Sequence, residues 1–522
     1  MNIIGLDFGT TNSTISFYNV ESQVLDSFRL DASASDYIPS VITYNKHKET
    51  DISIGNAAKL SLTSKNTETY ENFKLRLCGN FNNANEIIEG KTKTPLQVTH
   101  DFLKHLFSAY RNKQRINTID FVTMTIPEAW LHSQSARENI EKIFNKLGFD
   151  DFQFQLESEP VAAAAYFCHA YEQKNTSKYH GFILVIDFGG GTLDVTLCES
   201  TDGSTVKVLE RRGFGEYGQT NGCAGVAFDE AVMEKLIKDN NLPIQKNSPQ
   251  FIKLRSRFEN RKTAEIDKIA ENLKHYYYDP MIIEGEILFT LQYNDDGDEI
   301  NISCEDLAHC FELINAPVLK EALNDVSQFF STHGVNSAVQ DNFRVLLVGG
   351  FSNFYAVEEE ARRFFGSKTG FVDKRFEQPF SITNRALAIS RGAALIAQKA
   401  IEVEHVYPHH TGYTVVYRDA QDKWTEKDIL VAEKGVNATK AIYSTESVRF
   451  LRPSGEVKIF LNYRRDDNTG RKILIISLNQ LFSHFDYNES YKIGFSINKN
   501  RTLLLHLKDK SGNEIQSVII KE

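Results

Sequence analysis

The chain has 522 residues, 41% hydrophobic and 25% charged, a balance typical of soluble globular proteins with roughly two to four domains. Its net charge of −10 argues against a nucleic-acid partner, since duplex affinity depends largely on Lys and Arg, and no run of about 18 apolar residues predicts a membrane-spanning helix. Six scattered cysteines without a CxxC pair, and an N-terminus without a basic leader segment, predict free thiols and a cytoplasmic location.

The N-terminal part of the chain predicts alternating strands and helices. Helical spacing of apolar residues and strand-like apolar runs carry this prediction. Ser158 followed by Pro160 favours a helix start, because serine caps a helix and proline suits its first turn. The predicted elements are two short strands around a Gly-Thr-Thr turn in residues 1–20, helices over 100–114 and 133–147, a buried strand over 120–127, and a helix from Ser158.

The pattern continues to about residue 404 and then changes. Further elements are a strand in 184-LVIDFGGGTLDV-195, a second strand over 192–199, helical segments over 226–278 and 303–332, a strand breaking into glycines over 344–354, and a helix over 383–402. After residue 404, alternating runs joined by polar turns include 491–498, 502–508 and 515–520. These runs predict a separate antiparallel β-module.

A glycine-rich turn after an apolar strand occurs twice, in 2-NIIGLDFGTTNSTISF-17 and in 184-LVIDFGGGTLDV-195. Glycine lets backbone N–H groups approach a phosphate, and threonine hydroxyls add hydrogen-bond donors. Asp7 and Asp187 stand at the strand ends, where a carboxylate can hold Mg²⁺ or its water shell. The residues predicted to bind phosphate are Gly9, Thr10, Thr11, Asn12, Gly189, Gly190, Gly191 and Thr192.

The alternative for either stretch alone is a tight turn without a ligand. Two copies with matching Asp and Thr offsets, and a third strand-to-glycine site at Gly349 and Gly350, favour two similar lobes that hold one nucleotide between them. No G-x-x-x-x-G-K-[ST] motif occurs, which excludes a Walker-type ATPase.

Taken together, these stretches resemble the actin-type ATPase fold and, within it, the 70-kDa heat-shock chaperone (Hsp70) family. The matching motifs are 5-GLDFGTTNS-13, 38-IPSVITY-44, 54-IGNAAK-59, 72-NFKLRLCG-79, 122-VTMTIP-127, 159-EPVAAAAY-166, 186-IDFGGGTLDV-195, 271-ENLK-274, 347-LVGGFSN-353 and 391-RGAAL-395. The stretch 495-FSINKNRTLLLHLKDKSGNEIQSVII-520 resembles the last strands of the family's substrate-binding β-domain.

The resemblance implies an α/β fold: an actin-like (ribonuclease H-like) two-lobed ATPase domain followed by a small all-β sandwich that resembles the family's substrate-binding β-domain. The sequence departs from the family after this β-domain, where 520-IKE-522 directly follows the last predicted strand, and we expect no helical lid. The implied boundaries are residues 1–400 for the nucleotide-binding domain, with lobes of about 1–180 and 181–400, residues 401–410 for the linker, and 411–522 for the β-domain.

The resemblance also implies site residues. Lys74 matches the catalytic lysine that contacts the γ-phosphate and the attacking water, and Glu159 matches the glutamate that helps order metal-bound water. Asp187 and Thr192 complete the implied catalytic set, and Asp7 and Asp187 surround the Mg²⁺ ion, mainly through water. The implied nucleotide contacts also include Gly225, Glu271, Lys274, Gly349 and Gly350, of which Glu271 and Lys274 form the adenosine-side pair.

The implied function is slow, Mg²⁺-dependent hydrolysis of ATP to ADP and phosphate, coupled to binding of a protein or peptide client by the β-domain, with a co-chaperone or exchange factor as partner. The chain departs from the family at the linker, at Ser135 in place of an arginine, and at Phe351, Asn353 and Tyr278 near the base. These departures leave open an alternative, a nucleotide-gated interaction protein with little or no turnover.

Overall fold

The computed structural model describes all residues except 20, 23, 32–35, 63, 78–82, 132, 215–222, 247, 279–286, 295, 340, 367–373, 377–381, 408, 419–420, 422, 451–453, 463–470, 483–484, 499–501 and 521–522. The chain forms two compact units. The first comprises Met1–Val206 and Arg212–Glu402, and the second comprises Lys207–Arg211 and Val403–Glu522.

The first lobe of the first unit is built on a sheet with the strand order β3-β2-β1-β8-β9, in which β4 also pairs with β2. Its strands are β1 (Ile3–Phe8), β2 (Asn12–Asn19), β3 (Val24–Ser27), β4 (Ile38–Pro39), β5 (Ile42–Asn45), β6 (Lys48–Ile54), β7 (Thr67–Tyr70), β8 (Phe121–Ile126) and β9 (Phe154–Ser158). Its helices are α1 (Asn56–Lys59), α2 (Pro95–Gln114), α3 (Glu128–Leu131), α4 (Gln134–Lys146) and α5 (Glu159–Asn175), with 3₁₀ turns at Phe73–Arg76 and Asn83–Asn85. Strands β5, β6 and β7 form a separate small sheet.

The second lobe repeats the central pattern with the order β15-β10-β11-β12. Its strands are β10 (Gly181–Phe188), β11 (Leu193–Ser200), β12 (Thr205–Phe214), β13 (Ile287–Gln292), β14 (Glu299–Ser303) and β15 (Phe343–Val348). Its helices are α6 (Gly225–Asp239), α7 (Pro249–Ala264), α8 (Ile266–Tyr278), α9 (Cys304–Ile314), α10 (Ala316–His333) and α11 (Tyr355–Phe364), with 3₁₀ turns at Phe351–Asn353 and Lys374–Phe376. The last helix, α12 (Ile382–Ala397), follows in the chain but packs against β1, β2 and β8 of the first lobe.

The two lobes share one topology around their glycine turns. In the first, β1 forms an antiparallel hairpin with β2 and runs parallel to β8. In the second, β10 forms an antiparallel hairpin with β11 and runs parallel to β15. The duplication that the sequence predicts therefore extends from the motif to the surrounding sheet.

Helices α5 and α12 pack closely because small residues line their contact. A Cβ atom on Gly392 would lie 1.6 Å from the carbonyl oxygen of Ala162, and one on Gly5 would lie 2.3 Å from the backbone nitrogen of Ala394. The four alanines at 162–165 are fully buried. Ser158 caps α5 by accepting a hydrogen bond from the backbone N–H of Val161 at 3.3 Å, as predicted.

The second unit is a β-sandwich. Its elements are β16 (Glu402–Glu404), which begins at the division, β17 (His410–Arg418), β18 (Trp424–Ala432), β19 (Ile442–Tyr443), β20 (Val448–Arg449), β21 (Glu456–Asn462), β22 (Arg471–Ser477), α13 (Leu478–Leu481), β23 (Ser490–Ile497), β24 (Leu503–Lys508) and β25 (Glu514–Ile519). One sheet has the order β18-β17-β21-β22, and the other has the order β19-β23-β24-β25 with β20 also on β23. Side chains of both sheets, including Tyr413, Ile459, Phe495 and Leu505, share one apolar core.

Five of the six cysteines are described, and these five are buried free thiols, as predicted. Cys78 lies outside the described residues. Among the helices that the structure describes, none combines the length and apolar character needed to cross a membrane.

Candidate active site

The first unit contains a cavity of about 370 Å³, a size typical of small-molecule sites. The turn after β1 and the turn after β10 both line it, and they come from different lobes. The phosphate-site residues predicted from the sequence that line it are Gly9, Thr10, Thr11, Asn12, Gly189, Gly190, Gly191 and Thr192, together with Gly225, Gly349 and Gly350.

The two glycine turns touch one another across this cavity. A Cβ atom on Gly190 would lie 2.8 Å from Cγ2 of Thr11, and one on Gly191 would lie 2.9 Å from the hydroxyl oxygen of Thr10. A side chain at either glycine would therefore collide with the opposite lobe. The absence of side chains leaves backbone N–H groups of both lobes accessible to a ligand such as a phosphate chain.

Lys74 is placed beside this double turn. It lies on the 3₁₀ turn Phe73–Arg76, which begins after Asn72 in the left-handed conformation (φ 53°), a conformation that asparagine tolerates well. The Lys74 side chain is only 3% exposed, and its Nζ donates to Oε1 of Glu159 at 2.7 Å. The rings of Phe8 and Trp130 lie 5.8 and 5.5 Å from the same ammonium group. The cation is thus fixed in one position by burial, a carboxylate and two aromatic faces.

Asp7 and Asp187 lie at the same end of the cavity, in corresponding positions of β1 and β10. Burial, and then the neighbouring charge of Glu159, raises the pKa of Asp7 to about 8, although Lys74 acts in the opposite direction. Burial also raises the pKa of Asp187 well above its ordinary value, with Glu159 and Asp7 adding to the shift. Oδ2 of Asp187 is buried and has no hydrogen-bond partner among the described residues.

These carboxylates fit a divalent cation, because a cation at this point would satisfy the unpartnered oxygen and offset the clustered negative charge. Within the part of the chain that the structure describes, no group of three or more His, Cys, Asp or Glu residues is arranged to hold a metal ion directly. The arrangement therefore fits a cation whose other ligands are water and the phosphate oxygens of a ligand, which is the usual mode of Mg²⁺.

Sequence reasoning missed two carboxylates beneath the cavity. Asp194 faces Asp187 in the β10–β11 register and is fully buried, and burial raises its pKa well above the ordinary value, with Glu159 and Asp187 contributing next. Glu128 is also fully buried, and its backbone N–H donates to Oδ1 of Asp194 at 3.1 Å. An aspartate inside the otherwise buried strand 193-LDVTLCES-200 was the available signal, since a buried charge is rare without a role.

The predicted adenosine-side pair is not at the cavity, and this prediction is wrong. Glu271 and Lys274 are exposed on α8 and do not line it. The chain contains the same spacing twice, in 259-ENRK-262 and in 271-ENLK-274, and it is Glu259 and Lys262 of α7 that line the cavity. One face of α7, with residues about one helical turn apart, lines the cavity, whereas the face of α8 that contains Glu271 and Lys274 is exposed to solvent.

Tyr278, which the sequence also placed near the base, lies away from the cavity for the same reason: α7, and not α8, lines it. Tyr278 is 76% exposed, and Ile266, which follows Glu259 at the spacing with which Tyr278 follows Glu271, lines the cavity instead. Phe351 and Asn353 do line it, and Phe351 stacks on Phe354 with ring centroids 5.5 Å apart and an interplanar angle of 10°. This end of the cavity therefore combines an aromatic surface with the charged side chains of Glu259 and Lys262.

Ion pairs connect the two lobes across the mouth of the cavity. Nη2 of Arg255 on α7 lies 2.9 Å from Oε2 of Glu71, and Nζ of Lys59 lies 3.4 Å from Oε2 of Glu259. Ser135, where the resemblance implies an arginine, is exposed at the start of α4, whereas Arg137 is buried.

Comparison with known proteins gives two findings. A sequence model of the family described as Hsp70 protein matches residues 3–401. The chain is also similar to Chaperone protein DnaK of Mycoplasmopsis pulmonis (strain UAB CTIP), with 27% identity over 369 residues, which is 70% of this chain and 55% of that protein. The chain thus spans about half the length of this relative.

Proposed function

The chain belongs to the 70-kDa heat-shock chaperone (Hsp70) family, and from this premise we propose that it is an ATP-binding, slowly hydrolysing chaperone-like ATPase. Nucleotide state is coupled to binding of a protein or peptide segment by the β-sandwich. The proposed division is a nucleotide-binding domain over residues 1–400, a linker over 401–410 and a β-domain over 411–522. A co-chaperone or exchange factor as partner, and the cytoplasm as location, stay predictions of the sequence.

The observation that carries this proposal is the meeting of two glycine turns from opposite lobes over one cavity that also contains the Lys74–Glu159 pair. Backbone N–H groups of both turns can surround a phosphate chain from two sides. Transfer of a γ-phosphoryl group to water requires charge neutralisation and a positioned water more than covalent catalysis. A buried cation and several buried carboxylates supply these two requirements.

Each side chain then has a defined task. Lys74 places a desolvated positive charge where the γ-phosphate acquires negative charge, and such preorganised charges contribute strongly in a water-excluded site. Glu159 holds Lys74 in place and orients the attacking water through hydrogen bonds. Thr10, Thr11 and Thr192 donate hydroxyl hydrogen bonds to phosphate oxygens.

Mg²⁺ would be held by Asp7 and Asp187, mainly through water, and when bound it supplies charge neutralisation at the β- and γ-phosphates. The unpartnered oxygen of Asp187 and the raised pKa of Asp7 support this assignment. At the other end, Glu259 and Lys262 replace Glu271 and Lys274 as the proposed contacts on the adenosine side.

The test is calorimetric titration with ATP and ADP, with and without Mg²⁺, beside a phosphate-release assay. We expect Mg²⁺-dependent ATP binding and slow phosphate release. The substitution Lys74→Ala should abolish release and leave ATP binding largely intact, and Lys104→Ala, at an exposed lysine of α2, should change neither. Persistent turnover in Lys74→Ala would refute the role given to this lysine.

One observation favours a second candidate, a nucleotide-gated interaction protein with little or no turnover. The base end of the cavity presents Phe351 and Asn353 where the family has a serine and a stacking arginine, which is compatible with an altered nucleotide cycle. Tight ATP binding by the wild-type protein without Mg²⁺-dependent phosphate release would select this candidate.

A further inference from the structure

Glu128 occupies an unusual position for a carboxylate. It is the first residue of α3, directly after Pro127 at the end of β8, and it is 0% exposed. It does not line the cavity, and it lies behind the carboxylates that do. An ionisable side chain at such a depth is costly unless hydrogen bonds compensate it.

Glu128 is hydrogen-bonded to both lobes. Its backbone N–H donates to Oδ1 of Asp194 at 3.1 Å, and its Oε1 accepts from the hydroxyl of Thr196 at 3.1 Å; both partners lie on β11 of the second lobe. The same Oε1 accepts a further hydrogen bond from the hydroxyl of Ser158 in the first lobe. A single side chain thus connects β11 with the start of α5.

The partners of Glu128 lead directly to the candidate active site. Ser158 is the N-cap of α5, and the next residue is Glu159, the partner of Lys74. Asp194 faces Asp187 in the β10–β11 hairpin. The partners of Glu128 are therefore direct neighbours of the groups that surround the proposed γ-phosphate position: Ser158 precedes Glu159 in the chain, and Asp194 is paired with Asp187 across the hairpin.

Packing alone does not account for a glutamate here. An apolar side chain of similar volume would fill the space without the desolvation cost, and Glu128 adds to the raised pKa of Asp194, after burial, Glu159 and Asp187. A hydrogen-bonded carboxylate gains directional contacts that an apolar group lacks, and these contacts define the relative position of its partners.

We propose that Glu128 is a positioning residue for ATP hydrolysis: its side chain connects Thr196 of β11 with Ser158, and it thereby holds the N-terminal turn of α5, and hence Glu159, in place against the second lobe. The inference rests on the proposed ATPase function. In this role Glu128 does not need to contact the nucleotide. It therefore affects the rate of the chemical step more than the affinity for ATP.

The test compares Glu128→Ala, Glu128→Gln and Thr196→Val with the wild-type full chain in steady-state phosphate release. Glu128→Ala should lower kcat by about tenfold to a hundredfold, as displacement of catalytic groups does, while KM for ATP changes by less than about threefold. Glu128→Gln keeps an acceptor oxygen and should recover most of kcat. Thr196→Val removes one donor without changing the side-chain shape, and should lower kcat by a smaller factor.

Glu299→Ala, at an exposed glutamate of β14, is the matched control and should behave as the wild type. A wild-type kcat in both Glu128→Ala and Thr196→Val would overturn the inference and leave the proposed function intact. Failure of Glu128→Gln to recover activity would overturn it too, and this result stays informative even where Glu128→Ala does not fold. Absence of ATP turnover in the wild-type protein itself would overturn the proposed function, and the positioning role with it.

Discussion

Replacing Asp7 by asparagine should stabilise the ligand-free protein while abolishing its activity. Asp7 is buried beside Glu159 and Asp187, and its pKa of about 8 means that the folded state binds a proton that the unfolded chain, with an ordinary value of 3.8, releases near neutral pH. Asparagine has a similar shape and carries no charge. The variant therefore avoids the electrostatic cost, but it has only a neutral amide oxygen in place of the carboxylate that Mg²⁺ and its waters require.

The sign and size of the effect follow from proton linkage. A carboxyl group whose pKa is raised on folding contributes stability below the unfolded pKa, and this contribution is lost as the pH rises towards the folded pKa. With about 1.4 kcal/mol for each pH unit between 3.8 and about 8, the loss in the wild type has an upper bound of about 6 kcal/mol once the pH exceeds the folded pKa. Because Asp7→Asn still buries a polar amide, we expect a net gain of about 2 kcal/mol at pH 8 and a smaller gain at pH 5.

The assay is thermal unfolding in EDTA without nucleotide at pH 5 and pH 8, followed by phosphate release with Mg²⁺ and ATP. We expect a Tm for Asp7→Asn that exceeds the wild-type Tm by a few degrees at pH 8, with a smaller difference at pH 5. Asp296→Asn, at an exposed aspartate, serves as the control and should show no pH-dependent difference. A variant less stable than the wild type at pH 8, or a difference in Tm that is the same at both pH values, would refute the electrostatic reasoning.

Three further predictions concern the ion pairs and the base end of the cavity. Lys74→Ala should lower the free energy of unfolding by about 3–5 kcal/mol, because it leaves Glu159 buried without its cation. In chemical denaturation, the double variant Lys74→Ala/Glu159→Gln should recover most of that loss. Equal instability of the single and the double variant would contradict this. Arg255→Ala removes the 2.9 Å contact with Glu71 between the lobes. Release of a fluorescent ADP analogue, measured by stopped flow, should then be about tenfold faster. An unchanged release rate would show that this ion pair does not restrain opening of the cavity. Asn353→Arg should tighten ATP binding about threefold in calorimetry, since a guanidinium can stack on the base, and an unchanged Kd would place the base elsewhere.

The sequence was sufficient for the features that are encoded locally. The glycine turns after β1 and β10, their aspartates, and the capped helix from Ser158 each follow from a short run of residues with a definite backbone preference. Their repetition also predicted two similar lobes, and the order of motifs predicted the family, to which the chain belongs.

The adenosine-side pair shows where local information was insufficient. The spacing Glu-Asn-x-Lys occurs on α7 and again on α8, and both segments are helical. Only the packing of α7 against the cavity selects Glu259 and Lys262, because the rotation of a helix about its axis depends on which apolar stripe its neighbours bury.

The buried carboxylates illustrate the same limit. Asp194 and Glu128 are 66 residues apart in the chain, and they meet because β11 of one lobe lies beside the start of α3 of the other. The sequence by itself determined the two phosphate-binding turns and the strands that present them, because these depend on neighbouring residues. The tertiary structure alone decided which charges converge behind them, because burial and electrostatic interaction depend on distances between segments that are remote in sequence.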